Sequence, residues 1–147
     1  MMEIKTVGIA CDHAGFALKQ FVKQYLEEKN IPYKDYGTYS DASCDYPVYG
    51  RAVAKAVAAG ECQLGILTCG TGIGISITAN KVPGVRAALC SDCFSAEATR
   101  LHNNANILAL GARVLGEGLA LKIVDTFLDT PFSNDERHIR RISMIEE

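Results

Sequence analysis

Short runs of apolar residues alternate along this chain with segments in which apolar residues recur every three or four positions. The first pattern predicts β-strands and the second predicts amphipathic helices. The apolar runs predict five strands, at Ile4–Ala10, Ile31–Tyr36, Leu64–Thr68, Val85–Cys90 and Ile107–Leu110. The periodic segments predict helices at Phe16–Lys29, Val48–Ala59, Ile75–Lys81, Phe94–His102, Leu115–Leu128 and Arg137–Glu146.

This order of elements predicts a fold class. Five strand–helix units in succession indicate one α/β domain over residues 1–147, in which a five-stranded parallel sheet carries helices on both faces and a C-terminal helix follows. Right-handed crossovers make such a sheet doubly wound. Strands that are buried on both faces are continuously apolar, and Leu64–Leu67 and Ala87–Leu89 have this composition.

Composition and charge exclude several classes of protein. Hydrophobic residues are 48% and charged residues 22% of the 147 residues, which is typical of a globular chain. Fifteen Lys and Arg against seventeen Asp and Glu argue against general nucleic-acid binding. No apolar run approaches the roughly 20 residues of a membrane span, and the first residues do not resemble a signal peptide. We expect a cytoplasmic protein with neither a nucleic-acid nor a membrane partner.

The six cysteines favour free thiols over a disulfide framework, because no secretory signal is recognised. Cys90 and Cys93 have the spacing of a metal-binding pair. A zinc ribbon needs a second pair of this kind, which the sequence lacks. We therefore predict no metal site.

Ligands of parallel α/β sheets bind beyond the carboxyl ends of the strands. This rule restricts the search to the residues that directly follow the predicted strands. They are Cys11–His13, Gly37–Thr38, Cys69–Gly74, Ser91–Asp92 and Gly111–Arg113. Reactive side chains are concentrated in these segments, so we expect the functional site at this edge of the sheet.

A glycine-rich turn, Gly70-Thr71-Gly72-Ile73-Gly74, joins a predicted strand to a helix. The turn is neither a P-loop, since the required Lys-Ser or Lys-Thr is missing, nor a dinucleotide fingerprint, since Ile75 replaces its third glycine. Alternate glycines can direct several backbone N–H groups to one point beside the positive end of a helix. The turn predicts an anion hole, and the alternative is that it serves only helix–sheet packing.

Three kinds of side chain could add chemistry to this turn. Cys69 opens it, and a thiol near a helix N-terminus forms the thiolate more readily, as a nucleophile or a base requires. Asp12 and His13 follow the first strand and could handle hydroxyl protons, although Asp12 could also simply cap the next helix. His102 ends the fourth predicted helix, where a histidine is either structural or functional.

The C-terminal helix carries Arg137, Arg140 and Arg141 on one face. Another face is an apolar stripe of Ile139, Ile142 and Ile145. We expect this stripe to dock on the body of the protein or on a partner subunit, which would leave Arg137 and Arg141 free to clamp a phosphate. The alternative is a solvated basic face.

Together, several motifs resemble those of type B ribose-5-phosphate isomerases, a family that also includes isomerases of galactose 6-phosphate and allose 6-phosphate. The motifs are Cys11-Asp12-His13-Ala14-Gly15, Asp45-Tyr46-Pro47, Cys69-Gly70-Thr71-Gly72-Ile73-Gly74-Ile75-Ser76, Ala79-Asn80-Lys81, His102-Asn103 and Arg137-His138. The resemblance covers nearly the whole chain. It implies a Rossmann-like α/β sandwich and a homodimer or dimer of dimers with sites near the subunit interface. It also implies a sugar phosphate substrate and no metal or organic cofactor.

The resemblance also implies roles for individual residues. Cys69 would move a proton between C2 and C1 of the sugar, Thr71 would help to stabilise the enediolate, and His102 would open the furanose ring. The turn amides that complete the enediolate site are those of Gly70, Gly72, Ile73 and Gly74. Contacts to the sugar and its phosphate are implied for Asp12, His13, Asn103, Arg113, Arg137 and Arg141. Some relatives carry a glutamate at the place of Ile75, so the chain resembles the cysteine-dependent branch.

These roles predict the interconversion of ribose 5-phosphate and ribulose 5-phosphate. Two alternatives remain at this point. One is an isomerase of the same family that acts on a six-carbon sugar phosphate. The other is a non-catalytic nucleotide-binding α/β domain.

Overall fold

The computed structural model describes residues 3–147, and within them five strands form one parallel sheet. The strands are β1 (Val7–Cys11), β2 (Tyr33–Asp35), β3 (Leu64–Cys69), β4 (Ala87–Leu89) and β5 (Ile107–Gly111), in the order β2-β1-β3-β5-β4. The helices are α1 (Phe16–Glu28), α2 (Tyr46–Ala58), α3 (Ile73–Asn80), α4 (Cys93–Asn103), α5 (Glu117–Asp129) and α6 (Glu136–Ile145). The predicted fold class is confirmed.

The two faces of the sheet bury separate apolar cores. Side chains alternate between the faces of a strand, so Ile66 of β3 packs in the core shared with α1, α4 and α5. The next residue, Leu67, packs in the core shared with α2 and α3. Phe127 is the largest apolar side chain of the first core, and Val53 and Ile75 are fully buried in the second.

Strand β4 lies at the edge of the sheet, so the prediction that Ala87–Leu89 is buried on both faces is wrong. The strand pairs with β5 alone, and Leu89 is 39% exposed. An apolar run predicts a buried strand. Whether the strand lies at the edge of the sheet depends on the strand order, which the local sequence does not reveal.

Two helices begin earlier than predicted, and both shifts affect the site. Helix α2 begins at Tyr46 rather than Val48, because Pro47 fits in the first helical turn. Helix α3 begins at Ile73 rather than Ile75, directly after the left-handed Gly72. The start of α3 therefore lies inside the glycine-rich turn.

Helix α6 docks differently from the prediction. Ile139 and Ile145 of the apolar stripe remain 47% and 59% exposed. The buried residue of α6 is His138, whose ring lies 4.6 Å from the ring of His102 in α4. Two of the three isoleucines of the stripe therefore do not pack on the body of their own chain, while Ile142 is half-buried. Docking of the stripe on a partner subunit stays a prediction.

Residues 3–147 contain no helix that is both long and apolar enough to cross a membrane. The same residues contain no group of three or more His, Cys, Asp or Glu side chains placed to hold a metal ion. All six cysteines are free thiols.

Candidate active site

A cleft of about 450 Å³ opens at the carboxyl ends of β1 and β3. In the sheet, β2 lies on one side of β1 and β3 lies on the other side. The connections after β1 and β3 therefore run in opposite directions, and such a reversal creates a crevice where ligands bind. The cleft is lined by Asp12, His13, Ala14, Tyr46, Cys69, Gly70, Thr71, Ile73, Gly74 and Arg113. The cleft therefore lies at the edge of the sheet where the sequence predicts the functional site.

Cys69 is the last residue of β3 and is only 4% exposed. Its sulfur accepts a hydrogen bond from the Gly72 N–H at 3.1 Å. The turn thus folds back over the strand end and fixes the sulfur atom at the cleft.

Two other buried cysteines make a useful contrast with Cys69. Cys11 ends β1 and Cys90 follows β4. Burial, as the main cause, raises the pKa of each thiol to about 11. Neither Cys11 nor Cys90 is among the residues that line the cleft, so Cys69 is the one of these three buried thiols that lies at it.

The turn amides do not all face the cleft, which revises the predicted anion hole. The Gly72 N–H donates to Cys69, and the Ile73 N–H donates to Oγ1 of Thr71 at 3.2 Å. These two amides hold the side chains of Cys69 and Thr71 in place. Gly70, Thr71 and Gly74 are left as the turn residues whose amides could meet a ligand oxyanion.

The glycines are required for close packing as well as for amide geometry. Gly72 has φ +78°, and a Cβ there would lie 2.8 Å from the carbonyl carbon of Leu110. A Cβ on Gly74 would lie 2.6 Å from the ring of Tyr46. The packing interpretation of the turn therefore holds, and its role as an anion hole stays a prediction.

Asp12 is buried, and its Oδ1 accepts the Gly15 N–H at 2.9 Å. Gly15 is the N-cap of α1, and no side chain of residues 3–147 caps the helix. The Asp12 carboxylate therefore fixes the turn before α1, and the alternative that Asp12 caps the helix is wrong. Within the described residues no hydrogen bond engages Oδ2.

His13 is held by a residue that the sequence did not single out. The Cys44 N–H, in the loop between β2 and α2, donates to His13 Nδ1 at 3.2 Å. Because Nδ1 is the acceptor, the neutral ring carries its proton on Nε2. His13 is therefore prepared to donate a hydrogen bond from Nε2.

Arg113 adds positive charge to the cleft. Its backbone N–H donates to the Gly70 carbonyl at 2.9 Å. Its Nη1 is 3.4 Å from the place that a Cβ on Gly70 would occupy, so the guanidinium lies over the turn. We call Asp12, His13, Cys69, Thr71 and Arg113 the thiol cluster.

The remaining predicted residues lie elsewhere. His102 and Asn103 end α4, and the Asn103 carbonyl accepts a hydrogen bond from Arg86 Nε at 3.0 Å. Arg86 directly precedes β4, so this end of α4 is at the amino edge of the sheet. Arg137 and Arg141 are exposed on α6. We call His102, Asn103, Arg137 and Arg141 the histidine cluster.

The two clusters are separated by the length of the sheet. Strand β3 runs from Leu64 at the amino edge to Cys69 at the carboxyl edge. At about 3.3 Å per residue this length is roughly 16 Å. One chain therefore does not bring the thiol cluster and the histidine cluster together.

A framework of hydrogen bonds and stacking holds the histidine cluster. Arg86 also donates to the Asn104 carbonyl at 3.0 Å and pairs with Glu146, just beyond α6, at 2.7 Å. His138 stacks on His102, and Ser133 Oγ lies 2.7 Å from His138 Nδ1. Burial is the main cause that lowers the pKa of His138. A cavity of about 790 Å³ adjoins this framework and is lined in part by Asn103 and Arg86.

Sequence reasoning missed the supporting residues because their roles depend on tertiary contacts. Tyr46 was part of a quoted motif but received no role, and Cys44, Arg86 and His138 showed no local signal for the contacts that they make. The buried Lys19 on α1 is the largest omission, since a lysine on a helix is ordinarily solvated.

Comparisons with known proteins agree with this architecture. The model of the Ribose/Galactose Isomerase family matches residues 7–145. Ribose-5-phosphate isomerase B of Escherichia coli is 46% identical over 142 residues, which cover 97% of this chain and 95% of that protein. A galactose-6-phosphate isomerase subunit of Clostridium acetobutylicum is 40% identical over 141 residues, which cover 96% of this chain and 82% of that one.

A solved structure extends the likeness to three dimensions. The ribose 5-phosphate isomerase of Thermotoga maritima superposes with a TM-score of 0.94 at 50% identity, and the match covers 99% of both chains. The family resemblance found in the motifs is thereby confirmed, and the interpretation as a non-catalytic nucleotide-binding domain loses its support. The chain belongs to the ribose/galactose isomerase family of enzymes.

Proposed function

We propose that this enzyme interconverts ribose 5-phosphate and ribulose 5-phosphate through an enediolate, with Cys69 as the base. The proposal rests on the position of the Cys69 sulfur at the cleft, where it accepts a hydrogen bond from the Gly72 amide. The names of the relatives at 46% and 50% identity supply the substrate.

The reaction needs one base that works at two adjacent carbons. In the forward direction the Cys69 thiolate removes the proton from C2 of the open aldose, and the resulting enediolate takes a proton from the thiol at C1. A second proton moves from O2 to O1, so atoms and charge balance. General base catalysis of this kind contributes roughly 10²–10⁴-fold.

The developing oxyanion requires donors that are already in place. The Thr71 hydroxyl and the amides of Gly70, Thr71 and Gly74 lie in the turn after Cys69 and would supply such donors. Each oxyanion donor is worth about 3–4 kcal/mol in comparable sites. Asp12 and the Nε2–H of His13 would bind sugar hydroxyls and hold the open chain across the sulfur.

The complete site requires a second copy of the chain. The histidine cluster lies about 16 Å from Cys69 along the sheet, so its members would act in the cleft of a partner in a homodimer or a dimer of dimers. In a two-fold dimer each chain would receive the other's cluster, which generates two equal sites. Apolar side chains exposed on α3 and α6, among them Ile73, Ile77 and Ile145, offer surface for such contacts.

In this arrangement the partner's histidine cluster has two tasks. His102 would protonate the ring oxygen as the furanose opens. Arg137 and Arg141 lie one helical turn apart, so both guanidinium groups can reach one phosphate. Binding the phosphate far from C1 and C2 holds the reacting carbons in place.

A six-carbon sugar phosphate is the second candidate substrate. It is favoured by the 40% identity to a protein named as a galactose-6-phosphate isomerase subunit. No residue of the cleft distinguishes the two chain lengths.

The test compares kcat/KM for ribose 5-phosphate, allose 6-phosphate and galactose 6-phosphate. We expect the highest value for ribose 5-phosphate, with solvent deuterium incorporated at C1 of ribulose 5-phosphate in heavy water. A higher value for either six-carbon substrate would replace the proposed substrate. Solvent exchange at C1 that persists in Cys69→Ala would argue against the thiolate as the proton carrier.

A further inference from the structure

Lys19 is a buried cation whose presence packing does not explain. It lies on α1 beside the apolar Leu18 and Val22, and it is 1% exposed. Its Nζ donates to Asp35 Oδ1 at 2.7 Å and to the Thr38 carbonyl at 2.6 Å. Burial of an ion pair is often no more stabilising than an apolar replacement, so a positional role is the better explanation.

The contacts of Lys19 fix the chain where it leaves β2. Thr38 donates its N–H to the Cys11 carbonyl at 2.9 Å, and the Gly37 carbonyl accepts the Cys11 N–H at 2.8 Å. The Gly37 N–H donates to Asp35 Oδ1 at 2.9 Å. The ammonium therefore joins α1 and the end of β2 to the last residue of β1, one position before Asp12.

The loop that begins at this point ends at the candidate active site. The Cys44 N–H donates to Nδ1 of His13, and Tyr46, two residues later, lines the cleft. The rings of Phe16 and Tyr39 cover the ammonium at 5.8 and 5.3 Å. One end of the loop is thus held by Lys19, and the other end holds His13.

We propose that Lys19 is a positioning residue, which with Asp35 anchors the loop 38–45 so that Cys44 keeps His13 in the tautomer with its proton on Nε2. The consequence for activity rests on the function proposed above, because it assumes that His13 binds a sugar hydroxyl. The consequence for the His13 ring does not depend on any activity.

The experiment uses two variants and a matched control. Lys19→Met removes the cation, and the double variant Lys19→Met with Asp35→Asn also removes the carboxylate charge while keeping an acceptor for the Gly37 N–H. The control is Lys23→Met, one helical turn further along α1, since Lys23 Nζ is 4.0 Å from Asp35 Oδ2 and its side chain is 36% exposed. Nitrogen-15 spectra report the His13 tautomer, and hydrogen exchange reports the Cys44 amide.

We expect exchange of the Cys44 amide to become at least about tenfold faster in the double variant, with exchange in β3 unchanged, since only the loop loses its anchor. The His13 spectrum should change from one tautomer to a mixture. KM for ribose 5-phosphate should rise by about tenfold with a smaller change in kcat, as expected for one lost hydrogen bond. Lys23→Met should match the parent enzyme in all three measurements.

An unchanged His13 tautomer and an unchanged Cys44 amide in a folded variant would overturn the proposal. Failure of both Lys19 variants to fold would overturn it as well, because the pair would then be needed for folding itself. A changed tautomer with unchanged kinetics would support the positioning role and contradict the substrate contact of His13.

Discussion

The thiol cluster and the histidine cluster occupy opposite edges of one sheet and are built in different ways. At the carboxyl edge, backbone groups fix the side chains: the Gly72 amide holds the Cys69 sulfur, and the Gly15 amide holds the buried Asp12 carboxylate. At the amino edge, His102 and Arg141 are exposed side chains on helices, and stacking and Arg86 hold the elements that carry them.

The difference fits the separate roles proposed above for the two clusters. A base and an oxyanion site need fixed geometry, which strand ends and glycine turns provide. A phosphate clamp can be formed by long side chains that close on a charged group. Among the described residues, the exposed Arg137 has a contact with Asp135 at 3.6 Å, and the proposed partner cleft would give these groups a phosphate to bind.

Loss of the fixed sulfur should have the largest effect. Cys69→Ala should lower kcat by at least about 10²-fold, because the base is removed. Steady-state kinetics with ribose 5-phosphate measures the loss. Cys62→Ala is the matched control: Cys62 is equally buried but lies at the amino edge of the sheet, so its loss should change kcat little. More than about a tenth of parental kcat in Cys69→Ala would rule out Cys69 as the base.

Loss of the phosphate clamp should have the next largest effect. Arg137→Ala and Arg141→Ala should each lower kcat/KM roughly ten- to a hundredfold, since a hydrogen bond to a charged group is worth about 1.5–3 kcal/mol. Arg140→Ala should be milder, because Arg140 lies at the margin of the shared face, 100° around the helix from Arg141. Inhibition by inorganic phosphate should disappear in the Arg137→Ala and Arg141→Ala double variant. Unchanged inhibition would show that this surface is only a solvated basic face.

A substitution that weakens the support of the histidine cluster, without changing its members, should lower activity less. Arg86→Met removes the ion pair to Glu146 and the hydrogen bonds to the end of α4. We expect kcat/KM to fall by about three- to tenfold, from misplacement of the cluster. The control is Lys34→Met, which breaks an equally short but solvated ion pair with Glu61 and should leave kcat/KM unchanged. Equal kinetics for the two variants would contradict the positioning role of Arg86.

The pH dependence of stability should show the smallest effect. Burial, together with nearby His102, Arg137 and Arg141, holds the pKa of His138 below its usual 6.5, despite the opposing charge of Asp135. The His138 ring therefore binds a proton more readily in the unfolded chain than in the folded chain. The free energy of unfolding falls as the pH falls below about 6.5. Between pH 7 and pH 5.5 the Tm of the parent should drop further than that of His138→Gln. Parallel Tm profiles would contradict this origin of the acid sensitivity.

The sequence predicted the strands and helices of the core because burial on one face leaves a local period, as in Leu18, Val22 and Leu26. It located Cys69 and Thr71 because sheets of this class bind ligands at strand ends. It could not place His102 relative to Cys69, since that relation depends on strand order and chain direction. The ammonium of Lys19 was equally hidden, because only the folded loop brings Asp35 and Thr38 to it.

Complementation between two inactive variants tests the two-copy site most directly. Cys69→Ala keeps an intact histidine cluster, and His102→Asn keeps an intact thiol cluster. If each site combines the thiol cluster of one chain with the histidine cluster of another, a purified mixed dimer has one complete site and should regain about half of the parental kcat per dimer. Mixed dimers no more active than the two variants alone would show that each chain carries its whole site, and would contradict the division between the two edges.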